Sequence, residues 1–181
     1  RNDTHLGHMR ENDDIADFDG GKNVFIGFGG NDVFVGGGGG GDDLMVGGSG
    51  DDRLTGGAGD DILMAGTGND YLGGGTGNDL LLGLLGDNKL NGGVGEDVLV
   101  AGSGDNILVV GSGADKFIFT DKFKGHGEAK VVDFTIGEDS LHIISDAVTS
   151  FSDLTFSYDA KGNAVFTLSL IHISEPTRPR L

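Results

Sequence analysis

The sequence predicts an all-β fold: a right-handed parallel β-roll closed by a small antiparallel β cap. Three observations predict it. A nine-residue unit recurs from Gly27 to Ile118, interrupted only by the two extra glycines Gly36 and Gly37. Glycine supplies 37 of the 181 residues, without the period of three that a collagen chain requires. Aspartate or asparagine stands at the sixth place of every unit.

The unit is clearest in Gly47–Thr55 (GGSGDDRLT), Gly56–Met64 (GGAGDDILM), Gly74–Leu82 (GGTGNDLLL) and Gly92–Val100 (GGVGEDVLV). Gly38–Val46, Ala65–Gly73, Gly83–Asn91, Ala101–Val109 and Val110–Ile118 are variants, Gly27–Val35 is a further copy, and Phe18–Ile26 is a faded one. Glycines at the first, second and fourth places permit backbone angles with φ > 0 and so form a tight turn with carbonyl oxygens facing inward. The D-x-U-x end reads as a strand of three or four residues. Its apolar residue points in, at Phe34, Met45, Leu54, Leu63, Leu72, Leu81, Leu90, Leu99, Leu108 and Phe117. Strand neighbours point out. Each unit is then half a coil, and residues 18 apart stack one above the other.

Stacking makes the sixth-place residues informative. One edge carries Asp43, Asp61, Asp79, Asp97 and Asp115; the other carries Asp32, Asp52, Asp70, Asn88 and Asn106. Coils lie about 4.8 Å apart. Carboxylates at that spacing repel by about 1 kcal/mol in water and about 3 kcal/mol at an effective dielectric of 20. A hard dication bound to one carboxylate from each coil turns that repulsion into attraction. Calcium suits such a site, because it takes several oxygen ligands in flexible geometry. The candidate metal ligands are these ten side chains, with Asn88 and Asn106 the weak ones. The turn carbonyls near Gly39, Gly41, Gly48, Gly50, Gly57, Gly59, Gly66, Gly68, Gly75, Gly77, Gly93 and Gly95 complete the set. Each half-coil buries one large side chain over nine residues, too little to offset the backbone entropy of ordering them. Ion binding and folding are therefore expected to be one event.

The weakest coil is expected at Gly83–Asn91, where Leu84 replaces a glycine. If that place needs φ > 0, leucine costs roughly 1–2 kcal/mol; otherwise the loop relaxes around it.

Residues 1–17 read as a partial leading segment, 18–120 as the roll, 121–167 as the cap and 168–181 as a foreign tail. Lys130–Phe134 and Leu141–Ile144 read as strands joined by a turn at Gly137–Asp139. Phe151–Tyr158 and Ala164–Thr167 alternate apolar and polar around a turn at Asp159–Asn163. Together they would cover the last coil, as a solenoid requires. Leu168–Arg178 (LSLIHISEPTR) matches the translation of a transposase library adapter; the other reading is a genuine final strand. On the first reading the natural chain is cut near Thr167. Arg1 in place of methionine points to a missing start.

The formal charge of −17 argues against nucleic acid and anionic membrane surface as partners and favours cations. No apolar run spans a bilayer. With no cysteine there is no disulfide framework and no thiolate zinc site. The GxGxxG-like strings around Gly66–Gly74 recur without a following helix, which excludes a nucleotide loop. His5 and His8 stand three apart but have no partner motif, and neither H-E-x-x-H nor G-x-S-x-G occurs. No catalytic constellation is present, although an upstream domain could be an enzyme.

The unit resembles the G-G-x-G-x-D-x-U-x repeat of the RTX, or hemolysin-type, proteins over roughly residues 18–120. VVDFTIGEDSLHI (131–143) is similar to the segment that follows the repeats in many of them. The resemblance implies several bound calcium ions and unfolded export from a bacterial cytosol by type I secretion machinery. Folding would follow outside the cell, with the module secreted or associated with the cell surface. It implies a calcium-dependent folding and secretion module for an unknown cargo. Alternatives are a segment of an extracellular adhesin or surface layer, and the end of a secreted protease, lipase or epimerase.

Overall fold

The computed structural model describes residues 5–8, 12, 14–17, 20–120, 128–144, 154–158 and 164–169. The turn expected at 159–163 and the tail beyond 169 lie outside the described residues, as do the side chains of His5 and His8. Among the described residues every regular element is a strand, and no helix is long and apolar enough to cross a membrane.

Two parallel sheets face each other, and the chain alternates between them. The first holds β1 (His5–His8), β3 (Asn23–Ile26), β5 (Leu44–Ser49), β7 (Ile62–Thr67), β9 (Leu80–Leu85), β11 (Val98–Ala101), β13 (Lys116–Thr120) and β15 (Ser140–Ile144), in that order. The second holds β2 (Ile15–Asp17), β4 (Val33–Val35), β6 (Arg53–Ala58), β8 (Tyr71–Thr76), β10 (Lys89–Val94), β12 (Asn106–Ser112) and β14 (Glu128–Phe134); β17 (Ala164–Ser169) and then β16 (Leu154–Tyr158) follow it. The register confirms the 18-residue coil: Leu44, Ile62, Leu80, Val98 and Lys116 stand in line, as do Arg53, Tyr71, Lys89 and Ile107. The two extra glycines lengthen one coil to 20 residues, pairing Val24 with Leu44 and Val33 with Arg53.

The division of strand and turn differs from the sequence reading. In the regular coils the strand is six residues long, as in β6, and runs from the seventh place through the third place of the next unit. The first two glycines therefore lie in the strand, and Gly48 pairs with Gly66 in register. The turn is the remaining G-x-D. Positive φ falls at the second and fourth places, for example 112° at Gly57 and 133° at Gly59, and not at the first. The first place is small for lack of room: a Cβ on Gly56 would collide with the Asp61 carboxylate and come up against the Gly74 carbonyl.

Strands β14 and β15 also depart from expectation. Each pairs parallel with the roll, Ile107 with Lys130 and Phe117 with Leu141, so the solenoid runs on past the repeats. The turn over 136–139 links strands of opposite sheets. Among the described residues the antiparallel pairings are those of β17 with β16 and with β14.

All ten residues expected to point inward are fully buried, in one continuous core. Phe25 and Phe34 stack at 5.1 Å across it. The outward faces are unlike each other. The first sheet presents Leu44, Ile62, Leu80 and Val98, whereas the second presents Arg53, with its guanidinium 4.5 Å above the Tyr71 ring, and Lys89 on the far side.

Leu84 sits at φ 61°, so the backbone keeps the left-handed conformation and the leucine bears the strain. Leu84→Gly is expected to stabilise the folded protein by about 1 kcal/mol. The check is the urea midpoint; a lower midpoint would show that contacts of the leucine outweigh its strain.

Candidate metal centre

Backbone hydrogen bonds around each turn can be counted place by place. The fourth-place N–H donates to a third-place carbonyl of the next coil, as Gly50 does to Thr67 at 2.8 Å. The seventh-place N–H donates to a sixth-place carbonyl of the preceding coil, as Arg53 does to Asp32 at 2.8 Å. The fifth and sixth N–H groups donate to side chains. Asp43 N–H donates to Asp61 Oδ1 at 2.7 Å, Asp61 to Asp79 at 2.8 Å and Asp79 to Asp97 at 2.8 Å. On the other edge Asp32 N–H donates to Asp52 at 2.8 Å and Asp52 to Asp70 at 2.7 Å. Each of the ten sixth-place side chains from Asp32 to Asp115 thus caps the coil before it.

The fifth place forms a second ladder that runs the opposite way. Asn78 N–H donates to Asp60 Oδ1 at 2.7 Å and Glu96 N–H to Asn78 Oδ1 at 2.8 Å, so these fifth-place side chains cap the coil after them. The other edge repeats this through Asn31, Asp51, Asn69, Asp87 and Asp105. Sequence reasoning missed these residues. The signal was present, since short Asx side chains recur at the fifth place with the same spacing of 18 and readily bond nearby backbone.

The two ladders use up the turn donors and leave acceptors over. Oδ2 of Asp52, Asp61, Asp70, Asp79, Asp97 and Asp115 is buried with no donor. A buried polar atom in that state is costly, and a charged one more so. These oxygens do not stand alone. The space a Cβ would take on Gly47, Gly56, Gly74 or Gly92 is bounded by the Oδ2 of the same unit and by the first-place carbonyl of the next coil. Second-place carbonyls are partly used, because Phe28 O and Leu84 O accept third-place N–H groups at 3.0 and 2.8 Å. A carbonyl oxygen has a second lone pair, so this does not remove it as a donor to metal.

Burial of the carboxylates without a counter-charge shows in their acidity. Burial is the largest cause raising Asp52 and Asp61 to about 7, and Asp70, Asp79 and Asp97 to about 6; neighbouring carboxylates push the same way. Asp43 and Asp115 are raised for the same first reason. The all-oxygen donor set, hard and anionic, fits a hard dication held by carboxylates and carbonyls together. No three His, Cys, Asp or Glu side chains gather as a cage among the described residues, so carbonyls would have to supply part of each ligand set.

Of the sequence-expected ligands, all ten sixth-place side chains are buried at the turns in two stacked rows. Asn88 and Asn106 differ from the rest in turning an amide NH2 toward glycine carbonyls of their own units. The first row runs on past the repeats, since Asp115 N–H donates to Asp139 Oδ1 at 3.0 Å.

Compared with known families, the chain matches the RTX calcium-binding nonapeptide repeat in four copies, over residues 12–40, 37–72, 73–108 and 82–117. No curated protein matches it significantly over its length.

The raised carboxyls fix a pH dependence. Their folded values lie above the ordinary 3.8, so their contribution to the metal-free fold is fully present below about pH 4 and is lost as pH rises through 6 to 7. Circular dichroism of metal-stripped protein is expected to show more β structure at pH 5 than at pH 8. A flat or rising profile would contradict this.

Proposed function

The chain belongs to the RTX calcium-binding nonapeptide-repeat family, and from that premise we propose that calcium binding is what completes the fold of a module exported unfolded. Calcium binding and the β-roll follow from the family; the ligands and the secretion context are our reading. The ligands are Asp43, Asp61, Asp79, Asp97 and Asp115 on one edge and Asp32, Asp52 and Asp70 on the other. Asn88 and Asn106 are weak members, and turn carbonyls at the second and fourth places contribute with those at the first. A bound dication supplies the positive charge that stacked, desolvated carboxylates require. The chain's own residues do the rest: in the folded coil Oδ1 fixes each carboxylate to the neighbouring backbone, which leaves Oδ2 as the oxygen free for metal.

One observation carries this reading. At the described turns the donors are spent while buried carboxylate oxygens remain without one. Protons neutralise the whole set only below neutral pH; above it the charge has to be met by a cation. Low calcium inside the cell would keep the chain unfolded for a type I exporter, and high calcium outside would fold it. The module is then structural rather than catalytic, and its cargo lies elsewhere.

Two measurements test the proposal. Metal-stripped protein at neutral pH is expected to be largely disordered by circular dichroism and to gain its β spectrum on calcium addition. Full β structure in chelator would overturn it. Asp61→Ala removes both the metal oxygen and the cap on the buried Asp43 N–H, and the lost cap alone is expected to cost about 1–3 kcal/mol. The calcium concentration needed for folding should rise; an unchanged titration would remove Asp61 from the ligand set.

A further inference from the structure

The asparagines at the sixth place do more than lack a charge. Asn88 Oδ1 accepts the Asp70 N–H at 2.9 Å, and Asn106 Oδ1 accepts the Asn88 N–H at 3.0 Å. An N–H can only donate, so the oxygen end of each amide is fixed there and the NH2 faces the other way. That is the side on which the aspartates hold their donorless Oδ2. Asn88 Nδ2 donates to Gly83 O at 2.8 Å and to Gly86 O at 3.2 Å. Asn106 Nδ2 donates to Gly104 O at 2.9 Å and to Gly102 O at 3.4 Å. Asn23, at the same place of the faded unit, donates to Gly21 O at 3.0 Å. The fourth-place carbonyl is an acceptor in all three.

We propose that these amides are built-in substitutes for a cation: each NH2 takes the turn carbonyls that metal would otherwise take, so its half-coil closes without an ion. The isosteric exchange of oxygen for NH2 alters neither the cap on the preceding coil nor the fit of the side chain. It changes only the sign of what faces the carbonyls. Asn88 and Asn106 are consecutive on one edge, while the opposite edge keeps Asp79, Asp97 and Asp115. The stretch from Gly83 to Ser112 therefore needs metal on a single edge, whereas coils built on Asp43 to Asp79 need it on both. Loading is graded along the roll. The segment around Asn88 and Asn106 has the lowest demand for calcium and orders first as calcium rises. Leu84 strain lies within this segment, so the test changes sixth places only and leaves that strain constant.

This inference rests on the calcium-dependent folding proposed above. Two variants, the double N88D/N106D and the reverse Asp79→Asn, are to be compared with the unaltered chain. Bound calcium is counted by atomic emission after gel filtration, and metal-free folding is followed by circular dichroism against trimethylamine oxide, which favours compact states. N88D/N106D is expected to bind more calcium and to need more osmolyte when metal-free. Asp79→Asn is expected to bind about one ion fewer and to need less. If N88D/N106D does not fold even in calcium, Asp79→Asn decides alone. Unchanged ion counts and osmolyte midpoints would overturn the substitution while leaving calcium-driven folding intact. An unaltered chain that binds no calcium would bring down the underlying reading itself.

Discussion

The roll depends on one constraint: carboxylates buried between coils, with one oxygen tied to backbone and the other left without a donor. Asp61 shows it in full. Its Oδ1 receives the Asp43 N–H, while Oδ2 is buried beside Gly56 and the Gly74 carbonyl. The glycines, the turn shape and the spacing of coils all serve to bring such oxygens together. A lone ion pair or an apolar contact could not play this part, because among the described residues the buried Oδ2 atoms of Asp52, Asp61, Asp70, Asp79, Asp97 and Asp115 meet no donor, and the Lys22–Asp42 pair lies at exposed fifth places.

This arrangement explains why so thin a core is enough. One large side chain per half-coil, from Phe34 to Phe117, forms a single file between two sheets. Such a file aligns the coils, and the turns decide whether they hold. The same logic accounts for the opposed ladders. Fifth-place side chains cap the coil after them and sixth-place side chains cap the coil before them. Each turn is thereby tied to both neighbours through side chains as well as through the sheets, so the loss of a single turn is felt in the coils on either side.

Acidity and metal are two answers to the same problem. Asp52 and Asp61, raised to about 7 by burial, accept protons far more readily than ordinary carboxyls. With the ligand set proposed above, protons and calcium compete for the same oxygens. Asparagine is a third answer, written into the sequence, which removes the problem at chosen coils and gives up an ion there. The mixture of aspartate and asparagine along the two edges sets how strongly each part of the roll responds to its surroundings.

The coil was legible from the repeat alone. A strict period of nine, with residues of like kind 18 apart, leaves a chain of alternating half-coils little other way to stack, and the inward file from Phe34 to Phe117 and the two rows of sixth-place residues were legible for that reason. Periodicity is a statement about which residues are equivalent, and it is silent on where hydrogen bonds go. The packed coils were needed to show that the first two glycines belong to the strand, that β14 and β15 extend the parallel sheets, and that fifth-place side chains reach forward while sixth-place ones reach back. They were also needed to show that Asn88 turns its amide onto the carbonyls of Gly83 and Gly86. These depend on contacts between coils, and a donor finds its acceptor only once the neighbouring coil is in place.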